Sequence, residues 1–324
     1  ALILRSDKLI QMKIYHDLDS ITSIRNPVVT TGSFDGVHIG HKTILNRLRE
    51  IASNIDGESV LITFHPHPRK VLFPDTAGKT LLLINSQREK IELLRKTGLD
   101  HLIIIKFTRE FSEISSIDFI RNILVGKLHA SKVVIGFNHH FGHNREGNFD
   151  YLYELGQYYN FGVEEIPEQD IHNETVSSTL IRKALLEGKI QRANAYLDHH
   201  YIIISELLPG SETCQSINFP TMRVKIDEES KLVPCDGVYA VNVLVEGEFY
   251  KGILNIKNSL PLEIRNVEEI TIDIHLFDAE INLIGKTATV FFAKRIRDEL
   301  QFDDKDAMSR QLKSDLAEVE ELIY

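Results

Sequence analysis

Short apolar runs alternate with amphipathic stretches through the first two hundred residues. Pro27–Thr31, Val60–Phe64, Leu102–Phe107 and Lys132–Gly136 predict strands, because brief apolar runs bounded by polar segments suit buried β-structure. Between them, Ile39–Asn54 places Ile44, Leu45, Leu48 and Ile51 at helical spacing and predicts an amphipathic helix. Strands alternating with helices predict a mostly parallel sheet wrapped by helices. Beyond about residue 200 the pattern changes. Val238–Val245 and Phe249–Ile256 flank Glu246-Gly247, which predicts a hairpin turn. Ile270–Phe277 and Thr287–Phe292 continue the strand pattern, and Asp304–Leu322 predicts a helix with apolar Met308, Leu312, Leu316, Val319 and Leu322. This half predicts a small antiparallel barrel or sandwich closed by a helix.

Composition sharpens that two-part picture. A chain of 324 residues, 26% charged and 43% hydrophobic, is ordinary globular composition and long enough for two domains. Two cysteines, Cys214 and Cys235, exclude a disulfide framework and point to a reducing, cytoplasmic setting. No apolar run reaches membrane-spanning length. Met12-Lys13-Ile14 reads as a natural start, with the residues before it fitting nothing that follows. The net charge of −10 argues against nucleic acid as a partner. That charge is unevenly placed: 24 Lys+Arg face 24 Asp+Glu up to His200, then 13 face 23. Thirteen of the 14 histidines lie in the neutral part. The two regions are expected to do different work.

The most informative segment is Thr31-Gly32-Ser33-Phe34-Asp35-Gly36-Val37-His38-Ile39-Gly40-His41. It follows a predicted strand and opens a predicted helix, where α/β proteins bind phosphate at exposed backbone N–H groups. His38 and His41 are three apart, so one helical turn brings both imidazoles to the same side. Gly40 between them leaves room for a nucleotide. Such a pair suits charge developing at phosphorus. Further along, Ser177-Ser178-Thr179 precedes a helical run ending at Gly188, a start and stop pair that offers a second helix N-terminus, with Arg182 one turn in. His65 and His67, or His139, His140 and His143, have spacing unlike a standard zinc set, and no cysteine accompanies them. No resident metal site is expected.

His38-Ile39-Gly40-His41 resembles the signature of the nucleotidylyltransferase superfamily. The longer Gly-Ser-Phe-Asp-Gly-Val-His-Ile-Gly-His string resembles the prokaryotic bifunctional riboflavin kinase/FAD synthetase family. Thr63-Phe64-His65-Pro66-His67-Pro68, Gly136-Phe137-Asn138-His139-His140-Phe141-Gly142 with Gly147-Asn148, and Ser177-Ser178-Thr179-Leu180-Ile181-Arg182 resemble further blocks of that family in the same order. The resemblance implies a Rossmann-like adenylyltransferase domain over residues 12–200, then a riboflavin-kinase-like antiparallel β-barrel with a terminal helix over 201–324. It implies His38, His41 and Arg182 as catalytic residues. It also implies Gly32, Ser33, Phe34, Asp35, Gly40, Ser177, Ser178 and Thr179 around the ATP phosphates. Phe64, His67, Pro68, Asn138, Gly147 and Asn148 are implied on the flavin side. ATP and FMN are the implied substrates, FAD and pyrophosphate the products, and Mg²⁺ accompanies ATP.

The C-terminal half resembles the family's kinase module at Gly237-Val238-Tyr239-Ala240, Gly252-Ile253-Leu254-Asn255-Ile256 and His275-Leu276-Phe277-Asp278. Its phosphate loop departs from the pattern. The family's glycines are missing from Glu212–Asn218, Thr221 remains, and Arg223 stands where a metal-linked Asn is expected. The Glu expected two residues before His275 is Asp273, one methylene shorter. This region reads as a degenerate kinase site. The expected function is therefore FAD synthesis from FMN with riboflavin kinase activity lost. Three rivals are a fully bifunctional enzyme, an adenylyl- or cytidylyltransferase acting on a different phosphate acceptor, and a non-catalytic flavin-responsive regulator.

Overall fold

The computed structural model describes residues 11–137, 140–167, 170–171, 174–258, 270–277, 279 and 283–322. Two compact units emerge: residues up to Leu81 with Lys90–Val176, and Leu82–Glu89 with Ser177 onward. This packing boundary falls at 176/177, so two helices beyond it group with the second unit although the sequence-based division lies at 200/201. Among the described residues, no helix is long and apolar enough to cross a membrane.

The first unit is built on a six-stranded parallel sheet, β1 (Lys13–Tyr15), β2 (Val28–Thr31), β3 (Ser59–His65), β4 (His101–Lys106), β5 (Lys132–Gly136) and β6 (Gly162–Ile166), in the order β1-β4-β3-β2-β5-β6. Its helices are α1 (Ile39–Asn54), α2 (Pro68–Leu72), α3 (Gln87–Arg95, whose last six residues lie in this unit), α4 (Arg109–Ser112), α5 (Ser116–Asp118) and α6 (Phe149–Tyr159). A π-helical stretch, Phe119–Val125, continues α5. The predicted helix over 39–54 forms as expected, burying Leu45, Leu48, Ile51 and Ala52. Val29, Val60, Ile62, Ile103 and Val133 from four strands meet Phe119, Ile120 and Ile123 in one core. Each such fully buried side chain contributes about 1.5–3 kcal/mol of hydrophobic stabilisation.

Strand order decides where a ligand fits. From β2 the chain passes through α1 to β3 on one side, while β5 pairs with β2 on the other. The order therefore reverses beside β2, and open parallel sheets hold ligands outside the C-terminal strand ends at such a switch point. The histidine-bearing turn begins there. A short ladder, β7 (Asp170–Ile171) with β8 (Glu174–Thr175), ends the unit.

The second unit opens with α7 (Ser178–Leu186) and α8 (Ile190–Leu197). Ser177 Oγ accepts the Leu180 N–H at 3.4 Å, and Gly188 adopts φ 71° just past α7. Both are the start and stop signals read in the sequence. Six antiparallel strands follow: β9 (Tyr201–Pro209), β10 (Met222–Val224), β11 (Gly237–Val245), β12 (Glu248–Asn258), β13 (Ile270–Leu276) and β14 (Thr287–Arg297). A short helix, α9 (Glu212–Ser216), separates β9 from β10. The strands close into a barrel in the order β10-β13-β12-β11-β14-β9. Closure, rather than two stacked sheets, follows because three-residue β10 pairs with β9 on one side and β13 on the other. The hairpin turns at Glu246 (φ 50°) and Gly247 (φ 93°), the left-handed pair that matches strand twist. The terminal helix α10 (Lys305–Leu322) is capped by Asp304, whose Oδ1 accepts the Ala307 N–H at 2.7 Å. Its Leu312, Leu316 and Val319 pack against Phe219, Val238, Ala240 and Ile253.

Candidate active site

Thr30 and Thr31 leave β2 buried, and the chain then turns through Gly32–His38 into α1. The turn is conformationally costly. Phe34 and Val37 hold φ of 50° and 42°, flanking Gly36 at 92°, and each left-handed non-glycine costs about 1–3 kcal/mol. Phe34 and Val37 are both buried, and that burial offsets the strain. Strain of this kind collects at ligand sites.

The result is a stack of rings. His38 and His41 lie with centroids 3.7 Å apart and planes 19° off parallel, and Phe34 stacks on His41 at 4.4 Å. Gly40 suits this packing: a Cβ there would meet the His38 ring at 3.3 Å, so the ring would have to shift, and at Gly32 it would meet Phe34 at 3.0 Å. Burial, then His38, then Lys90 push the His41 imidazole far below its ordinary titration range. Its Nδ1 is buried with no hydrogen-bond partner among the described residues. The first-turn N–H groups of α1 have no intrahelical acceptor. Stacked imidazoles beside such a helix end form a polar cradle that suits phosphate oxygens. Asp35 is buried within the same turn.

One residue bound to this turn was missed in the sequence. Lys90, nearly buried on α3, donates from Nζ to the Ser33 carbonyl at 3.3 Å and to Thr63 Oγ1 at 3.3 Å. Thr63 in turn donates to Ser33 O at 3.2 Å. The available signal was a lysine one turn before buried Leu93 and Leu94, on the apolar stripe of its helix.

The expected flavin-side residues take identifiable local places. Phe64 forms an aromatic cluster with Phe107 and Phe111, at 5.5 and 5.9 Å. His67 caps α2 by accepting the Arg69 N–H at Nδ1, and Pro68 is the first helical residue. Gly147 bridges to Phe141 through paired backbone hydrogen bonds, where a side chain would strike the Phe141 ring. Asn148 caps α6 through Oδ1 and the Tyr151 N–H at 3.0 Å. Asn138 lies outside the described residues. In the second unit, Ser177 caps α7, Ser178 and Thr179 occupy its first turn, and Arg182 Nε donates to the Leu82 carbonyl at 2.7 Å. Among the described residues, no group of three His, Cys, Asp or Glu side chains forms a metal cluster.

The barrel holds a cavity of about 730 Å³ bordered by Thr221, Arg223, Asn255, Asp273, His275 and Glu299. Arg223 and Asp273 are cross-strand neighbours joined by a two-pronged ion pair, Nε–Oδ1 3.1 Å and Nη2–Oδ2 3.3 Å. Thr221 Oγ1 accepts the Ser211 N–H at 3.0 Å. Burial raises the Glu299 carboxyl above its usual range. His275 stacks on Phe219 at 4.0 Å and contacts the Pro220 carbonyl through Nδ1 at 2.7 Å, while burial lowers its titration.

Known proteins align with both units. A family model described as FAD synthetase matches residues 20–180, and one described as riboflavin kinase matches 197–323. The bifunctional riboflavin kinase/FMN adenylyltransferase of Buchnera aphidicola subsp. Acyrthosiphon pisum is 33% identical, covering 94% of this chain and 96% of its own length. The protein of the same name from Escherichia coli K12 is 31% identical over 89% of this chain and 90% of itself. A solved structure described as a macrolide-efflux protein from Streptococcus pneumoniae superposes with a TM-score of 0.83 at 24% identity, covering 94% of this chain and 97% of that one; at that identity the likeness is one of fold. With relatives aligned along almost its whole length, this chain belongs to the bifunctional riboflavin kinase/FMN adenylyltransferase family.

Proposed function

We propose that the chain adenylylates FMN at the Gly32–His41 turn and that its barrel has lost riboflavin kinase activity. The stacked His38/His41 pair at the head of α1 carries the first part. A phosphate oxygen of FMN attacks the α-phosphorus of ATP in line, one P–O bond forms, and the bond to the β-phosphate breaks. Pyrophosphate departs with the electron pair, giving FAD. Such chemistry needs positioning and charge neutralisation more than covalent help. His38 and His41 meet the charge growing on the α-phosphoryl oxygens. On its own, the Ser177–Thr179 helix start of the second unit, with Arg182 one turn in, offers donors suited to phosphate oxygens. Mg²⁺ enters as part of the ATP substrate, keeping several of its waters.

The kinase half rests on the Arg223–Asp273 fork. Both oxygens of this carboxylate are already engaged by the guanidinium and so are turned away from a substrate hydroxyl, and the shorter Asp already stands back from where Glu would reach. A base misplaced by about 1 Å loses on the order of a hundredfold. The experiment for the adenylyl reading is His41→Ala with FMN and ATP: FAD formation should drop by about 10²–10³-fold while FMN still binds. Near-normal turnover would refute it.

A further inference from the structure

Resting on the adenylyl-transfer reading, we propose that Lys90 is a positioning residue for that reaction. Its buried ammonium fixes the turn through Ser33 O and Thr63 Oγ1.

Three observations support this. First, the three-way contact among Lys90, Ser33 and Thr63 ties α3 and the end of β3 to the residue immediately before strained Phe34. Movement at Ser33 therefore propagates into the ring that stacks on His41. Second, Lys90 is only 8% exposed. Holding an ammonium there is expensive, and packing alone would be served by a methionine of similar length. Third, the charge acts on the imidazole itself. Among the described residues, the charged and titratable groups that act on His41 are His38 on the same turn and Lys90 from α3, and Asp35 is buried within that turn. Lys90 opposes protonation of His41 in the resting site. A polyphosphate arriving there meets a cation already in place, so less reorganisation remains when charge develops.

The experiment compares Lys90→Met, Lys90→Arg and Thr63→Val in the full chain. Steady-state FAD formation is measured alongside an NMR titration of the His41 imidazole without substrates. Lys90→Met should lower kcat about tenfold or more, with KM for ATP changed less than kcat, and should move the His41 midpoint upward. Lys90→Arg should recover at least about a third of the lost rate, since it keeps the charge. Thr63→Val should lower kcat severalfold with the midpoint unmoved, because the tie is cut and the charge remains. An unchanged kcat in Lys90→Met, or an unmoved midpoint, overturns the proposal. If Lys90→Met does not fold, Thr63→Val decides: a kcat within about twofold of the parent overturns it. A parent chain that makes no FAD from FMN and ATP refutes the adenylyl reading instead, and the titration still reports on Lys90.

Discussion

Two regions of the molecule treat their polar groups in opposite ways. Around the barrel, three ion pairs close on themselves: Lys231 with Glu89 at 2.6 Å, Arg297 with Asp315 at 2.6 Å, and Arg223 with Asp273 at 3.1 Å. In the first unit, the turn after β2 stacks two imidazoles over one another, leaves His41 Nδ1 unmatched among the described residues, and accepts backbone strain at Phe34 and Val37. Internal matching stabilises a fold. A strained turn with unmatched polar atoms is ready to exchange protein contacts for ligand contacts.

The largest effect should come from breaking an internal match. Lys231 and Glu89 are almost wholly buried, and Lys231 Nζ also donates to the Ile84 and Ile202 carbonyls. Lys231→Ala should cost about 3–5 kcal/mol of stability by stranding a buried carboxylate, measured by urea unfolding followed through the barrel tyrosines. His41→Ala should cost about 2.7–4 kcal/mol of transition-state stabilisation, read in kcat for FAD formation, while the urea midpoint stays nearly constant. Equal stability losses in both variants would erase the contrast. Gly40→Ala should push the His38 ring and lower kcat by about tenfold without unfolding α1. Asp273→Asn should cost at most about 1 kcal/mol, because Arg223 is 43% exposed and solvent screens the pair. The smallest shift is spectroscopic. His41 should titrate below the ordinary imidazole midpoint of about 6.5, since burial disfavours its charged form. The unfolded chain then binds the proton more readily, so the first unit should lose stability as pH falls below that midpoint and regain it above.

Much of this was legible in the sequence because the signals were local. The α1 stripe, the hairpin at Glu246-Gly247 and the Ser177 cap each rest on residues a few positions apart, and local geometry fixes them. The pairing of His38 and His41 was legible for the same reason. What escaped depended on distant chain segments. Lys90 reaches the turn only through the order of β2, β3 and α3. Barrel closure depends on three-residue β10, too short to show a pattern. Strand β14 runs on to Arg297, past the expected end at Phe292, because Lys294, Arg295 and Arg297 continue its ladder with β11 despite their charge. The ion pair between Arg223 and Asp273 joins two positions the sequence marked separately as departures. Their compensation is visible only when the strands are paired.

The central claim is that this chain moves adenylyl groups at its first unit and no phosphoryl group at its barrel. The direct measurement supplies the full chain with ATP and either FMN or riboflavin and follows FAD, FMN, pyrophosphate and ADP together. The account predicts FAD with equimolar pyrophosphate from FMN, and neither FMN nor ADP from riboflavin. Sustained production of FMN and ADP from riboflavin would contradict it.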